Sequence, residues 1–217
     1  MGKFILIRIA LGFLSLLAVS VLIFAATEIL PGDVASAVLG QGATPETLAA
    51  FRKELGLDRP ATVRYFEWFW GAIQGDFGQA LTNKREILPE LMKKFKNTLF
   101  LAGVAALIAV PLSVGLGIIA AINEGKWQDR WSNIISLATI SVPEFFIAYV
   151  IILVFAVKLR WFPSLSTVFD GMPLSEMLYK ITLPAVTLTF LVAAHMLRMT
   201  RSSVLAIMSQ PYIEMAF

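Results

Sequence analysis

The chain has 217 residues, 58% of them hydrophobic and 15% charged, with a mean hydropathy of +0.76 and a formal net charge of +3. That balance is too apolar for one water-soluble domain and suits a bilayer as solvent. The absence of Cys excludes disulfides and zinc–thiolate sites, the single His195 excludes a multi-His metal cage, and 18 Lys and Arg scattered between apolar segments without a basic stripe argue against nucleic acid.

Crossing ~30 Å of hydrocarbon at 1.5 Å per residue takes about 20 mostly apolar residues. Four stretches meet that length: 9–30, 98–121, 134–157 and 181–198. The first follows Lys3 and Arg8 as a secretion signal does, but its apolar run exceeds the ~7–15 residues of a signal core and is read as a retained span. Glu28, near its outer end, reads as an interface residue.

Segment 31–97 is patterned as more than a linker. Thr44 and Pro45 have the character of an N-cap and a first helical residue, Leu48, Phe51 and Leu55 fall on one face, and Gly56 and Pro60 mark a stop, so a short amphipathic helix is expected. Tyr65, Phe66, Trp68, Phe69, Trp70 and Phe77 follow. Aromatic rings at this density suit either the headgroup layer or the core of a small extracellular subdomain. Asp76-Phe77-Gly78 spells the kinase metal-binding triplet, yet no glycine-rich loop, catalytic loop or strand lysine accompanies it, and it reads as chance.

Pro111 and Pro143 lie inside the second and third stretches, where a missing N–H is tolerable if neighbouring helices or water satisfy the freed carbonyl, so kinked helices in a bundle are expected. Gly103, Gly115 and Gly117 offer flat surfaces for close helix approach. Glu144 falls near the middle of the third stretch, where a charge costs at least about 2.5 kcal/mol. Either it lines a polar pathway and meets a cationic part of a solute, or it is a hydrogen-bonded carboxyl that serves packing beside Pro143. Trp161, Phe162 and Pro163, directly after this stretch, read as an interface anchor. His195 suits a proton relay less well than a simple hydrogen-bonding role. Beyond Arg198 the chain becomes amphipathic, with Val204, Ile207 and Met208 on one face, in the manner of a cytoplasmic helix leading to a docking element, or of an ordinary tail.

With the N-terminus in the cytoplasm, inside segments carry six basic residues (Lys3, Arg8, Lys126, Arg130, Arg198 and Arg201) and the short outside loop three (Lys158, Arg160 and Lys180). Long loops translocate largely regardless of charge, but Lys93, Lys94 and Lys96 beside the second stretch weigh the other way. No G-x-x-x-x-G-K-[ST] motif occurs, so hydrolysis of ATP by that route belongs to a partner.

The ordered landmarks Pro31-Gly32-Asp33, Leu55-Gly56-Leu57-Asp58-Arg59-Pro60, Gly75-Asp76-Phe77-Gly78, Ser141-Val142-Pro143 with Phe145-Phe146, Leu159-Arg160-Trp161-Phe162-Pro163 and Arg198-Met199-Thr200-Arg201-Ser202-Ser203-Val204-Leu205 resemble one family over nearly the whole chain. It is that of the inner-membrane permeases of dipeptide, oligopeptide and nickel type within ATP-binding-cassette importers. The resemblance implies an all-α polytopic helical bundle of the type I importer kind, with four of an expected six spans. Its parts would be a first span in 1–30, an extracytoplasmic loop in 31–97, and in 98–217 a permease core that leads into a coupling loop. That loop bears an E-A-A triplet, and Glu214-Met215-Ala216 falls in its place, with Phe217 ending the chain before the family's Gly. Val34, Met215 and Glu144 depart from the family's usual Pro, Ala and small polar residue. The resemblance assigns Arg198, Arg201, Tyr212, Glu214, Met215, Ala216 and Phe217 to coupling with the ATPases, while Ser141, Pro143 and Glu144 are candidates for the translocation pathway.

It further implies a second permease subunit, two cytoplasmic ATPases carrying ATP and Mg, an extracytoplasmic solute-binding protein and a bacterial or archaeal inner membrane with the N-terminus inside. This chain itself is expected to be non-catalytic and to bind no cofactor. Peptides are the expected cargo, with nickel, glutathione and oligosaccharides as alternatives. A membrane-embedded enzyme lacks the constellation it needs, one His and scattered acids providing none, whereas a passive channel or scaffold would also suit Glu144 and kinked helices.

Overall fold

In the computed structural model the described residues are 1–29, 34–40, 43–80, 83–210 and 213. Among them the chain is helical apart from turns and an isolated bridge between Gln79 and Glu86. In order the helices are α1 (Gly2–Ile29), α2 (Val34–Leu39), α3 (Pro45–Glu54), α4 (Ala61–Ile73), α5 (Ile87–Ile122), α6 (Trp127–Ser141), α7 (Glu144–Ile151), which continues with π-helical pairing over Ile152–Lys158, and α8 (Leu174–Met208). Three helices are long and apolar enough to cross a bilayer, α1, α5 and α8, and α6 with α7 makes a fourth if the bent pair is one span. Large apolar side chains remain exposed along all of them, as lipid-facing helices require.

The chain divides into two compact units, residues 1–92 and 93–217. In the first, α3 starts as expected: the Thr44 hydroxyl accepts the N–H of Thr47 at 3.3 Å, with Pro45 as the first helical residue. Leu48, Phe51 and Leu55 are its half-buried face, and Gly56 leaves the helix at φ +66°, a left-handed conformation glycine adopts without strain. Next, α4 packs on α1 through Tyr65, which is buried. Its ring lies 5.3 Å from that of Phe24 and its hydroxyl 2.8 Å from Ser20 Oγ. One turn along the same contact, Arg64 donates to Glu28 at 2.6 Å. Within the aromatic run Tyr65 is core, while Phe66, Trp68 and Trp70 stay exposed. The Arg59 guanidinium, hydrogen-bonded to Glu67, holds that carboxyl below its ordinary range. Asp76-Phe77-Gly78 is a turn in which Asp76 Oδ1 accepts the N–H of Gly78 at 2.8 Å, a local role that accounts for the triplet. A cavity of about 740 Å³ opens between α1, α4 and the turns at 55–59 and 76–79.

In the second unit, α5 and α8 cross through small residues. Ala105, Ala109, Ser113 and Gly117, spaced by four, form the buried stripe of α5, while α8 buries Ala185, Thr189, Ala194 and Leu197. A Cβ at Gly117 would lie 2.7 Å from Thr200 Cβ and 2.9 Å from the carbonyl oxygen of Leu197, so this position admits only glycine. Gly103 and Gly115, expected to serve the same end, have nothing within 4 Å of a Cβ among the described residues. Both α5 and α8 continue through their internal prolines, Pro111 and Pro184. The turn after the π-helical segment is tied to α8, since Tyr179 Oη donates to the carbonyl of Trp161 at 3.0 Å and the rings of Phe162 and Tyr179 lie 5.6 Å apart.

Candidate functional site

Stretch 134–157 is not one kinked helix with Glu144 at its middle. Helix α6 ends at Ser141, whose hydroxyl donates to Leu137 O at 2.8 Å, and α7 restarts at Glu144 at an angle of 102°. Pro143 has no N–H to continue the ladder, and its ring drives the preceding residue out of the helical region. Val142 (φ −97°, ψ 132°) and Pro143 (φ −58°, ψ 138°) are accordingly both extended, and two such residues in succession turn the chain. Glu144 is thus the first residue of α7, exposed, where its charge complements the helix N-terminus. Ser141, Pro143 and Glu144 lie together at this break. A separate cavity of about 300 Å³ in the same unit is lined by Leu101, Ala148, Ile152, Pro163, Thr187 and neighbours, not by these three.

The second cluster lies towards the end of α8. Arg201 reaches Asp129 of α6 with two bonds, Nε to Oδ1 at 2.5 Å and Nη2 to Oδ2 at 2.8 Å. Asn133, one turn further along α6, donates to Oδ1 at 2.8 Å, and the N–H of Gly125 donates to Oδ2 at 3.0 Å. The four acceptor sites of the carboxylate are therefore all used. That is what a carboxylate 4% exposed requires, because burying the charge with fewer partners would cost several kcal/mol, on the order of 3–5. Local sequence prepares the geometry. Gly125 sits at φ +75°, closing the turn after α5 so that its N–H points back at the first turn of α6, and Asp129 is the third helical residue, the position from which an acidic side chain reaches the N–H groups ahead of a helix. Glu124 adds a second carboxylate 3.8 Å from Arg201. The result is a clamp joining the α5–α6 turn, α6 and α8, one residue beyond the Gly117–Thr200 contact.

Of the residues expected to couple to ATPases, Arg198 is exposed on α8 and Arg201 is the cation of the clamp. Tyr212, Glu214, Met215, Ala216 and Phe217 lie outside the described residues. Sequence reasoning missed Asp129, Asn133 and Gly125, although an acid at the third position of a helix behind a glycine was a usable signal. His195 is exposed on α8. No group of three or more His, Asp or Glu able to hold a metal occurs among the described residues.

Residues 1–102 match the N-terminal family of binding-protein-dependent transport system membrane components, and residues 113–217 match the family described as binding-protein-dependent transport system inner membrane component. Putative peptide transport system permease proteins of Brucella abortus and Brucella suis are 35% identical over 217 residues, which is 100% of this chain and 69% of each relative. The glutathione transport system permease protein GsiC of Escherichia coli K12 is 34% identical over 202 residues, 93% of this chain and 63% of that relative.

Proposed function

The chain belongs to the inner-membrane components of binding-protein-dependent, ATP-binding-cassette importers, and from that premise we propose that it forms one half of a translocation pathway for peptides and couples it to cytoplasmic ATPases through the segment beyond α8. Peptide names among the relatives support the cargo class, and glutathione, named for another relative, is itself a small peptide. The observation that carries the coupling role is α8 itself. It runs unbroken over Leu174–Met208 and delivers the chain, within six residues, to Glu214-Met215-Ala216, where the family's coupling triplet belongs.

The full assembly in this proposal holds a second permease, two ATPases and an external solute-binding protein, with the N-terminus of this chain in the cytoplasm. ATP and Mg are held by the ATPases, since this chain has no phosphate-binding loop. Closure of the ATPase dimer displaces the coupling segments, and the spans respond by exposing the pathway alternately to either side. Ser141, Pro143 and Glu144, at the break between α6 and α7, contribute to the pathway, with Glu144 meeting the ammonium of a peptide N-terminus.

Peptide uptake into proteoliposomes containing the complete importer tests this. Uptake should require ATP, Glu214→Arg should abolish both ATPase co-purification and uptake, and Glu144→Gln should weaken discrimination between free and N-acetylated peptides. Unchanged co-purification and uptake with Glu214→Arg removes the coupling assignment. Unchanged discrimination with Glu144→Gln assigns that residue to packing.

A further inference from the structure

The clamp holds together elements that a transport cycle has to move. Arg201 lies on α8, seven residues before the helix ends at Met208. Asp129 lies in the first turn of α6, and the helix runs from it without interruption to Ser141, immediately ahead of the two extended residues at the break. A force applied near the end of α8 meets three fixed points: the bidentate Arg201–Asp129 pair, the weaker Arg201–Glu124 contact and the close seat of Thr200 on Gly117. Van der Waals packing alone lets helices slide, whereas a saturated, buried, bidentate pair has one geometry.

We propose that Asp129 is a positioning residue for coupling: with Arg201 it forms a strut that makes α6 and α8 move as one body, so that displacement at the end of α8 is delivered to the hinge at Val142–Pro143. This rests on the coupling role proposed above for the segment beyond α8. Asparagine at position 129 keeps the shape but turns one oxygen into an amide N–H₂, which faces the N–H groups of Arg201 and Gly125 donor to donor. Glutamate keeps the charge and both acceptor oxygens.

The test uses the full-length permease in its complete importer, reconstituted in proteoliposomes, and reads solute uptake per ATP hydrolysed. Asp129→Asn should lower that ratio about tenfold, within the usual range for energetic coupling between sites, and Asp129→Glu should restore most of it. Because the chain contains no Cys, a pair of spin labels can be placed at Trp131→Cys and Ser203→Cys together, both at exposed positions of α6 and α8. Their separation should be the same with and without ATP in the otherwise unaltered importer, and should change with ATP once Asp129→Asn is added. A merely structural role would lower uptake and hydrolysis together and leave their ratio intact; that result overturns the strut, as does a label separation that already changes with ATP when Asp129 is present. If Asp129→Asn does not assemble, Asp129→Glu and the labels on the otherwise unaltered chain decide. Failure of the unaltered importer to take up peptide refutes the proposed cargo and leaves the strut to be judged by the labels.

Discussion

Gly117→Ala and Gly115→Ala are the same substitution two residues apart on one helix, and the structure assigns them different outcomes. Each exchange gains about 1 kcal/mol of helix propensity. At Gly115 nothing lies within 4 Å of the new methyl group, so the gain stands. At Gly117 the methyl would sit 2.7 Å from Thr200 Cβ and 2.9 Å from the backbone oxygen of Leu197, contacts that only a shift of α5 against α8 can relieve. Such overpacking costs about 1–3 kcal/mol. Subtracting one variant from the other cancels the propensity and leaves the clash, so Gly117→Ala should be less stable than Gly115→Ala by about 1–3 kcal/mol. Thermal unfolding in detergent, followed by tryptophan fluorescence, measures the difference. Equal stabilities, or a more stable Gly117→Ala, would refute the close crossing and with it the seat that holds Thr200 beside Arg201.

Three further outcomes follow from other contacts. Tyr65→Phe removes only the hydroxyl bonded to Ser20 and should cost about 1 kcal/mol in denaturant titration, whereas Tyr65→Ala empties a ring site beside Phe24 and should cost about 3–5 kcal/mol. The Glu67 carboxyl is held below its ordinary range by its hydrogen bond to Arg59, so this pair stabilises the fold above the carboxylate range and loses that effect as pH falls through the lowered folded value. The stability difference between the native chain and Glu67→Gln should therefore vanish in acid, and also in high salt, since both partners are about half exposed (47% and 56%). Pro143→Ala restores an N–H and frees Val142 to become helical, so spin labels at exposed Leu137 and Tyr149 should move apart as α6 and α7 align; an unchanged separation would place the cause of the bend elsewhere.

What the sequence made legible is what depends on near neighbours along the chain. The Thr44–Pro45 start of α3 and the apolar helices needed only local pattern and length. Pro143 announced a disturbance, but its size depended on Val142 and Pro143 both being extended, so a kink was expected where the chain turns by 102° and Glu144 becomes a helix start. Gly103, Gly115 and Gly117 look alike in sequence, and only the path of α8 past Leu197 and Thr200 separates the one that must be glycine. The clamp joins residues 72 positions apart, a pairing no local pattern encodes. Family resemblance pointed at Arg201 without its partner.

In the proposed arrangement α8 carries the chain to the cytoplasmic side, where the ATPases would dock. A single cysteine in this Cys-free chain, at exposed Ser203 of α8 or at exposed Thr167 in the loop before α8, reports the side directly when cells with a permeabilised outer barrier meet a membrane-impermeant maleimide. Labelling is expected at 167 in intact inner membranes and at 203 only after those membranes are opened. Labelling at 203 from outside, with 167 protected, would contradict that arrangement.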